Sequence, residues 1–366
     1  MPSSATNQPL LFRDDAHSRH AREPLHVTVT VERRGQARND GSPRILVVVT
    51  NADLAGAPSH VRDLVLSLRR RFSIVVAFGE QGPIKDLLAL EGIETHLLPR
   101  LASRISPLAD LQTIVSLVAL IRSTRAELVH AHSTKAGMVA RLAGVLARVP
   151  VLFTIHGWGF GIGRPRRQSR FVWLTERVLA PIGSRYVTVS QADADVARDA
   201  FGLQPPRMVV IHNGVVDDPK RADPASAQGI AMVARVDYSK DYETALSAFS
   251  QLRADATFTC IGAGTDQEDF IRAGERWAGE ARSRVRFAGV TTDVAGHLAA
   301  AARPCSCWCH ATKVCPLSII EAMRAGLPVV ATDAGGARAD RTRRNRPAGL
   351  DRCRGGVARR PAASRR

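Results

Sequence analysis

The segment from Pro316 to Gly336 restricts what this chain can fold into more than any other part of it. Leu317, Ile320, Met323 and Leu327 recur at helical spacing, and Gly326 with Pro328 ends the helix. Val329-Val330-Ala331-Thr332 follows as a short apolar strand of the kind buried within a parallel sheet. A helix that turns directly into such a strand belongs to an α/β fold. Glu321 stands one turn into that helix. The helix start offers N–H groups to a diphosphate, and a carboxylate one turn in can accept hydrogen bonds from ribose hydroxyls. A solvated glutamate on an amphipathic surface helix is the other interpretation of the same spacing.

The 366 residues suffice for two domains, and an apolar fraction of 45% supplies their cores. No apolar run approaches the roughly 18 residues of a membrane span, and residues 1–43 lack the apolar core of a secretory signal. A cytoplasmic protein is expected. The net charge of +17 is uneven: residues 338–366 hold eleven arginines against two acidic residues, while residues 1–43 hold six against five. The charge left on the body suits anionic substrates or a membrane surface, and no nucleic-acid-binding motif accompanies it. Four of the six cysteines crowd into Cys305, Cys307, Cys309 and Cys315, near His310. Zinc sites pair cysteines at two separated places; this alternate-residue cluster does not, so no metal is expected.

Residues 1–43 are polar, rich in Ser, Arg and Pro, and read as a disordered extension. From Arg44, apolar strands alternate with amphipathic helices through a first domain, 44–217. Strands are expected over 45–49, 73–78, 95–98, 128–132, 151–155, 186–190 and 208–211. Helices are expected over 60–70, 84–91, 110–122, 171–179 and 191–200, with another ending at 147. Residues 164–170 read as a basic loop, either solvated or facing an anionic membrane surface. The second domain, 218–337, has strands over 229–233, 257–261 and 285–290 and a helix over 243–252 before the opening segment. An arginine-rich tail, 338–366, closes the chain.

In open parallel sheets ligands sit beyond the carboxyl ends of the strands. His132 and His156 both fall at such ends, each followed by a glycine-containing loop. Lys135, just after His132, either steadies an anionic acceptor or stays solvated. The first strand and helix are joined without a Gly-x-Gly-x-x-Gly signature, so a dinucleotide site is not supported. Gly56 in that loop serves either a ligand or chain direction. Arg235 and Lys240 lie five residues apart on one post-strand loop and can converge on a diphosphate, one with forked donors and one as a point charge.

Pro-Leu-Ser-Ile-Ile-Glu-Ala-Met-Arg-Ala-Gly-Leu-Pro at 316–328, His-Ala-His-Ser-Thr-Lys-Ala-Gly at 130–137, Ile-His-Gly-Trp-Gly-Phe at 155–160 and Ala-Arg with a lysine five residues on are the distinctive words of this chain. Together they resemble the retaining glycosyltransferases of family four. The resemblance runs from about 44 to 337, interrupted at 303–315. It implies the GT-B fold, two Rossmann-like domains facing across a cleft. It also implies sugar transfer with retention from a nucleotide sugar, a UDP-sugar by family habit. The acceptor would be a polyprenyl-diphosphate-linked or other glycan in exopolysaccharide or capsule-type biosynthesis, with peripheral contact at the inner membrane and no specific nucleic acid. By the same resemblance His132 sits against the transferred sugar, and Arg235 with Lys240 stabilises the departing diphosphate. Gly56, Gly262, Val290, Leu317, Ser318 and Glu321 bind the donor, and His156 and Lys135 lie on the acceptor side. No cofactor or metal is required.

The family has a Glu-x7-Glu motif here. Glu321 matches its second member, but Lys313 stands where the first belongs. Regrouping the codons of this stretch by one base explains the break. Cys305 to Cys315 then admits Val-Leu-Val-Leu-Val-Ser-Arg-Tyr-Glu-Gly-Leu, with the leucine ending at the Trp308 codon and the valine after it forced by the genetic code. One base dropped at Arg338 likewise allows Glu-Leu-Ile-x-x-Asp-Gly. Frame errors near 303, 316 and 338 are therefore expected, and with them weak activity and low stability of the chain as it stands. Two other classes of function stay open: an inactive remnant that at most binds nucleotide, and a basic nucleic-acid-binding or membrane-binding protein.

Overall fold

The structure is a computed structural model and describes residues 41–101, 106–160, 165–182, 185–222, 229–237, 240–252, 256–300, 307–309 and 316–331. Residues 1–40 of the expected N-terminal extension, the arginine-rich tail, Lys313, Cys305 and Cys315 lie outside the described residues. Strands β1 (Arg44–Val49), β2 (Ser73–Phe78), β3 (Glu94–Leu97), β4 (Leu128–His132), β5 (Val151–Ile155), β6 (Arg185–Thr188) and β7 (Met208–Val210) form one parallel sheet. Its order is β3-β2-β1-β4-β5-β6-β7. Strands β8 (Gly229–Val233), β9 (Thr257–Ile261), β10 (Val285–Gly289), β11 (Cys307–Cys309) and β12 (Val329–Ala331) form a second, in the order β10-β9-β8-β11-β12, also parallel. Helices α1 (Gly56–Leu68), α2 (Pro83–Leu90), α3 (Pro107–Thr124), α4 (Thr134–Ala147), α5 (Arg166–Leu179) and α6 (Gln191–Phe201) connect the strands of the first sheet. Helices α7 (Tyr242–Ser250), α8 (Glu268–Ala278), α9 (Val294–Ala300) and α10 (Leu317–Arg324) belong to the second.

Strand alternation sorts β1 between two cores. Ile45, Val47 and Val49 pack with Val61 and Val65 of α1 and Ile84 and Leu88 of α2. Leu46 and Val48 face the other way, toward Leu117 and Ile121 of α3 and Val139 and Ala143 of α4. Helices on both faces explain why the strand carries no polar residue between Ile45 and Val49. In each sheet the strand order reverses once, between β1 and β4 and between β8 and β11. A crevice opens there at the carboxyl ends of the strands.

Three local features depart from the sequence expectation. The basic stretch is mostly not a loop: Arg166 to Arg170 form the first turns of α5, with Pro165 at the N-cap and no helix breaker after it. Helix α3 starts at Pro107, whose fixed φ and missing N–H suit a first turn. Helix α8 was not expected, because its sequence is charge-rich and broken by Gly274. A Cβ at Gly274 would come within 2.8 Å of the Phe287 ring, so the glycine serves close helix-to-sheet packing. Beyond β7 the chain runs along the second sheet's helices. Lys220 pairs with Asp293 at 2.7 Å, Arg324 donates to the Asp218 carbonyl at 3.0 Å, and the Ala222 amide donates to the Ala325 carbonyl at 2.8 Å.

Candidate active site

The reversal point of the first sheet is occupied by histidines. His132 ends β4, level with Val49 of β1 and Thr154 of β5. It is wholly buried. Its Nδ1 lies 3.0 Å from His156 Nε2, just beyond β5, and its own Nε2 has no hydrogen-bond partner among the described residues. His60 of α1 packs edge-on to His156 at 4.9 Å between ring centroids and lies 5.7 Å from His132. His130, two residues back on the same side of β4, is 4.2 Å from His132 and bonds Thr154 Oγ1 at 2.8 Å. One nitrogen each from His60, His132 and His156 lie within 4.8 Å of one another, a geometry that a metal ion would accept.

Burial sets the charge of this group. Loss of solvent holds His130 down to about 4 and His156 to about 3, and pushes His132 well below the ordinary value; the neighbouring imidazoles add to each. His60 is also lowered by burial, against the pull of Asp63. All four are neutral near pH 7 and act as hydrogen-bond partners rather than charges. The stability consequence has a definite sign. An unfolded histidine takes its proton near 6.5, so between about pH 6.5 and pH 4 the unfolded state binds more protons than the folded one. Stability is therefore full above that window and falls as the pH falls through it. His130 alone accounts for about 3 kcal/mol below pH 4. Urea midpoints measured from pH 7.5 to 4.5 should drop steadily, and His130→Gln should flatten the slope; an unchanged slope contradicts this.

Ser133, directly after His132, has φ +80°, unusual for a residue with a side chain. Its Oγ is 3.1 Å from Thr50 Oγ1, which donates to Asn51 Oδ1 at 2.8 Å, so the ends of β1 and β4 are tied across the crevice. Strained backbone of this kind concentrates at functional sites. Gly56 opens α1 with no left-handed φ, and an added Cβ would meet nothing within 4 Å. Chain direction therefore does not require glycine there. Lys135 is buried and paired with Asp110 at 2.7 Å, so the solvated alternative fails.

At the second sheet, Gly262 has φ +136°, and a Cβ would fall 2.3 Å from the Ala234 carbonyl oxygen. Only glycine lets the loops after β8 and β9 close together. Amides of Ala234, Val236 and Gly262 donate to Ile261, Ala263 and Gly289 at 2.8–2.9 Å. Buried Thr265 accepts from the Gly289 amide at 3.0 Å and donates to the Gly262 carbonyl at 2.9 Å. The loops carrying Arg235, Gly262 and Val290 are thus one unit. Arg235 is half-exposed, 3.6 Å from the Asp237 carboxylate; the Lys240 amide donates to the Asp237 carbonyl at 2.9 Å; Val290 is exposed. Helix α10 begins at Leu317 and Ser318, with no side-chain cap from Pro316. Burial pushes the Glu321 carboxyl up; Arg324 opposes this, Asp63 of α1 adds to it and Arg62 opposes it.

Two profiles match this arrangement: one described as Glycosyltransferase Family 4 over residues 54–218, and one described as Glycosyl transferases group 1 over residues 227–347. The chain belongs to glycosyltransferase family 4. An Escherichia coli relative of this glycosyltransferase, a UDP-Gal:alpha-D-GlcNAc-diphosphoundecaprenol alpha-1,3-galactosyltransferase, is 26% identical over 302 residues, 75% of each chain. The Escherichia coli O-antigen biosynthesis glycosyltransferase WbnH is 22% identical over 56% of this chain and 58% of its own. In fold, Anabaena HepE in complex with UDP and glucose superposes with a TM-score of 0.67 at 22% identity, covering 81% and 82% of the two chains. Sucrose-phosphate synthase from Thermosynechococcus elongatus gives 0.61 at 18% identity, over 81% and 82%. Both sheets of the glycosyltransferase are those of the expected GT-B fold. No helix among the described residues is long and apolar enough to cross a membrane.

His60, His130, Thr50 and Asp63 were not singled out from sequence. His60 lies four residues past Gly56, on the helix that follows the first strand. Its neighbours Val61, Leu64 and Val65 mark only the core face, and the crevice side becomes visible once β1 is known to flank β4.

Proposed function

We propose that this glycosyltransferase moves a sugar, with retention, from a UDP-sugar to a polyprenyl-diphosphate-linked glycan acceptor in exopolysaccharide or capsule-type biosynthesis. The observation that carries this is the pairing of two carboxyl-edge sites. One is a buried neutral histidine group whose His132 Nε2 is left for a ligand. The other is a glycine-closed loop unit of the second sheet bearing Arg235, whose helix α10 carries Glu321. The named relatives, one acting on a diphosphoundecaprenol-linked sugar and one holding UDP, support the choice of acceptor and base.

In this mechanism Arg235 and Lys240 bind the donor diphosphate, and the start of α10 at Leu317 and Ser318 faces it with backbone N–H groups. These supply the positive field that a departing diphosphate needs, so no metal takes part. Glu321 accepts from the ribose, and Val290 borders the base. Gly56 leaves room for the diphosphate and acceptor. His132 bonds the transferred sugar, and His156, through its 3.0 Å contact, fixes which nitrogen of His132 carries the proton. Lys135 holds the acceptor side through Asp110 rather than as a free cation. Calorimetry with UDP tests the donor site. Arg235→Ala should weaken binding by about 10- to 100-fold, the worth of a charge-assisted hydrogen bond. Unchanged affinity would remove Arg235 from it.

The fold also bears on Lys313. Cys307-Trp308-Cys309 forms β11, a central strand paired with β8 and β12. Central parallel strands favour β-branched and aliphatic residues, and the regrouped codons place Val-Leu-Val there. This supports frame errors around 303–316 and a chain impaired in catalysis. Resequencing the gene tests it: an intact frame whose codons cannot yield those words rejects the proposal.

A further inference from the structure

His60, His132 and His156 come from three separate places, α1, the end of β4 and the turn after β5. Their ring centres nevertheless lie only 5.7, 4.9 and 5.3 Å apart, pair by pair. Rings packed for contact alone have no need to turn their nitrogens together, yet one nitrogen of each falls within 4.8 Å of the other two. In a tetrahedral zinc site with bonds of about 2.0 Å, donor nitrogens stand roughly 3.3 Å apart. His132 Nδ1 and His156 Nε2, at 3.0 Å, already have nearly that spacing. A shift of roughly 1.5 Å at the His60 side chain closes the triangle. His60 and His156 are only partly buried, so an ion has a way in.

The donor set identifies the ion. All three ligands are imidazoles, with no carboxylate or thiolate in the group. Such a set suits zinc, copper or nickel, whereas magnesium, calcium and manganese prefer oxygen. Burial keeps the three rings neutral, the form in which imidazole ligates. The single hydrogen between His132 Nδ1 and His156 Nε2 moves to the outer nitrogen of the ring that donated it. Both rings then present lone pairs, and no proton is released. Three nitrogens leave the fourth position of a tetrahedral ion to water. His130 is not a further ligand, because its Nε2 is taken by Thr154 Oγ1 at 2.8 Å.

We propose that His60, His132 and His156 form a binding site for zinc and similar late first-row divalent ions. The ion is no participant in the transfer described above. It occupies His132 and His156 and so blocks transfer; this consequence rests on the roles given to those residues, while the binding is measured without turnover. Calorimetry of the full chain with zinc chloride tests the site. The chain carries no histidine tag, and Cys305→Ser, Cys307→Ser, Cys309→Ser and Cys315→Ser keep thiolates from competing. One zinc should bind per chain, and a large excess of magnesium should not displace it. His60→Gln, His132→Gln and His156→Gln should each weaken zinc binding by more than about 100-fold, beyond the loss expected when only an outer partner is removed. His130→Gln should bind within about threefold of the parent chain. Cobalt in place of zinc should give the visible absorption of a four-coordinate site without thiolate charge-transfer bands, which keeps the site testable if a histidine variant does not fold. No zinc bound, unchanged affinity in any of the three ligand variants, thiolate bands, or displacement by magnesium each overturns the proposal. Zinc bound at these histidines with transfer undiminished would instead count against the roles given to His132 and His156 and leave the metal site standing.

Discussion

A chain in which residues 305–315 are replaced by Val-Leu-Val-Leu-Val-Ser-Arg-Tyr-Glu-Gly-Leu should transfer sugar at least 100-fold faster than the chain as it stands, and unfold at markedly higher urea. Two effects combine. Lys313→Glu within this change exchanges a cation for an acceptor of donor-sugar hydroxyls, and a hydrogen bond to a charged group contributes about 1.5–3 kcal/mol. The replacement of Cys307-Trp308-Cys309 puts aliphatic residues into a strand with neighbours on both sides. Transfer rates and urea midpoints on the two chains check this. Lys313→Glu alone should recover less, because β11 is unaltered. Equal rates and midpoints for the original and rewritten chains would show that the segment is native as it stands.

The largest single-residue loss of stability is expected at Arg141. It is wholly buried, donates to both Glu176 oxygens at 2.9 and 2.7 Å, to the Gly137 carbonyl at 2.8 Å and to the Tyr186 hydroxyl at 3.2 Å. Its guanidinium also lies 5.0 Å from the Phe153 ring centre. One side chain therefore joins α4, α5, β5 and β6. Burial pushes the Glu176 carboxyl up, and Arg141 opposes that shift. Arg141→Ala leaves Glu176 buried without its counter-charge and should cost about 3–5 kcal/mol. Arg141→Met combined with Glu176→Leu removes both charges together and should cost far less. Denaturant unfolding of the three chains checks this. A single variant as stable as the double would mean that water reaches Glu176.

Much of the first sheet was legible because parallel strands buried on both faces are continuous apolar runs, as from Ile45 to Val49. The strand-end rule likewise located His132 and His156 without coordinates. What the sequence withheld was strand order. That β1 lies between β2 and β4 is a tertiary fact, and it alone brings His60 of α1 over His132. Pairings over long separations were hidden for the same reason: Asp110 reaches Lys135 from the preceding helix, and Glu176 reaches Arg141 from the following one. Gly262 could be placed at a strand end, but the need for glycine there comes from the Ala234 carbonyl lying 2.3 Å from a would-be Cβ. Arg166 to Arg170 were misplaced in a loop because runs of charge carry no apolar period.

Glycosyl transfer at the paired carboxyl edges is the activity proposed for this chain. Its most direct measurement is incorporation of radiolabelled sugar from a panel of UDP-sugars into a polyprenyl-diphosphate-linked glycan acceptor, without added metal, by the original chain and the chain rewritten at 305–315. Label should appear in the lipid-linked product with retained anomeric configuration, slowly for the first chain and at least 100-fold faster for the second. Absence of product from every UDP-sugar with both chains, together with no binding of UDP by calorimetry, would contradict glycosyl transfer by this chain.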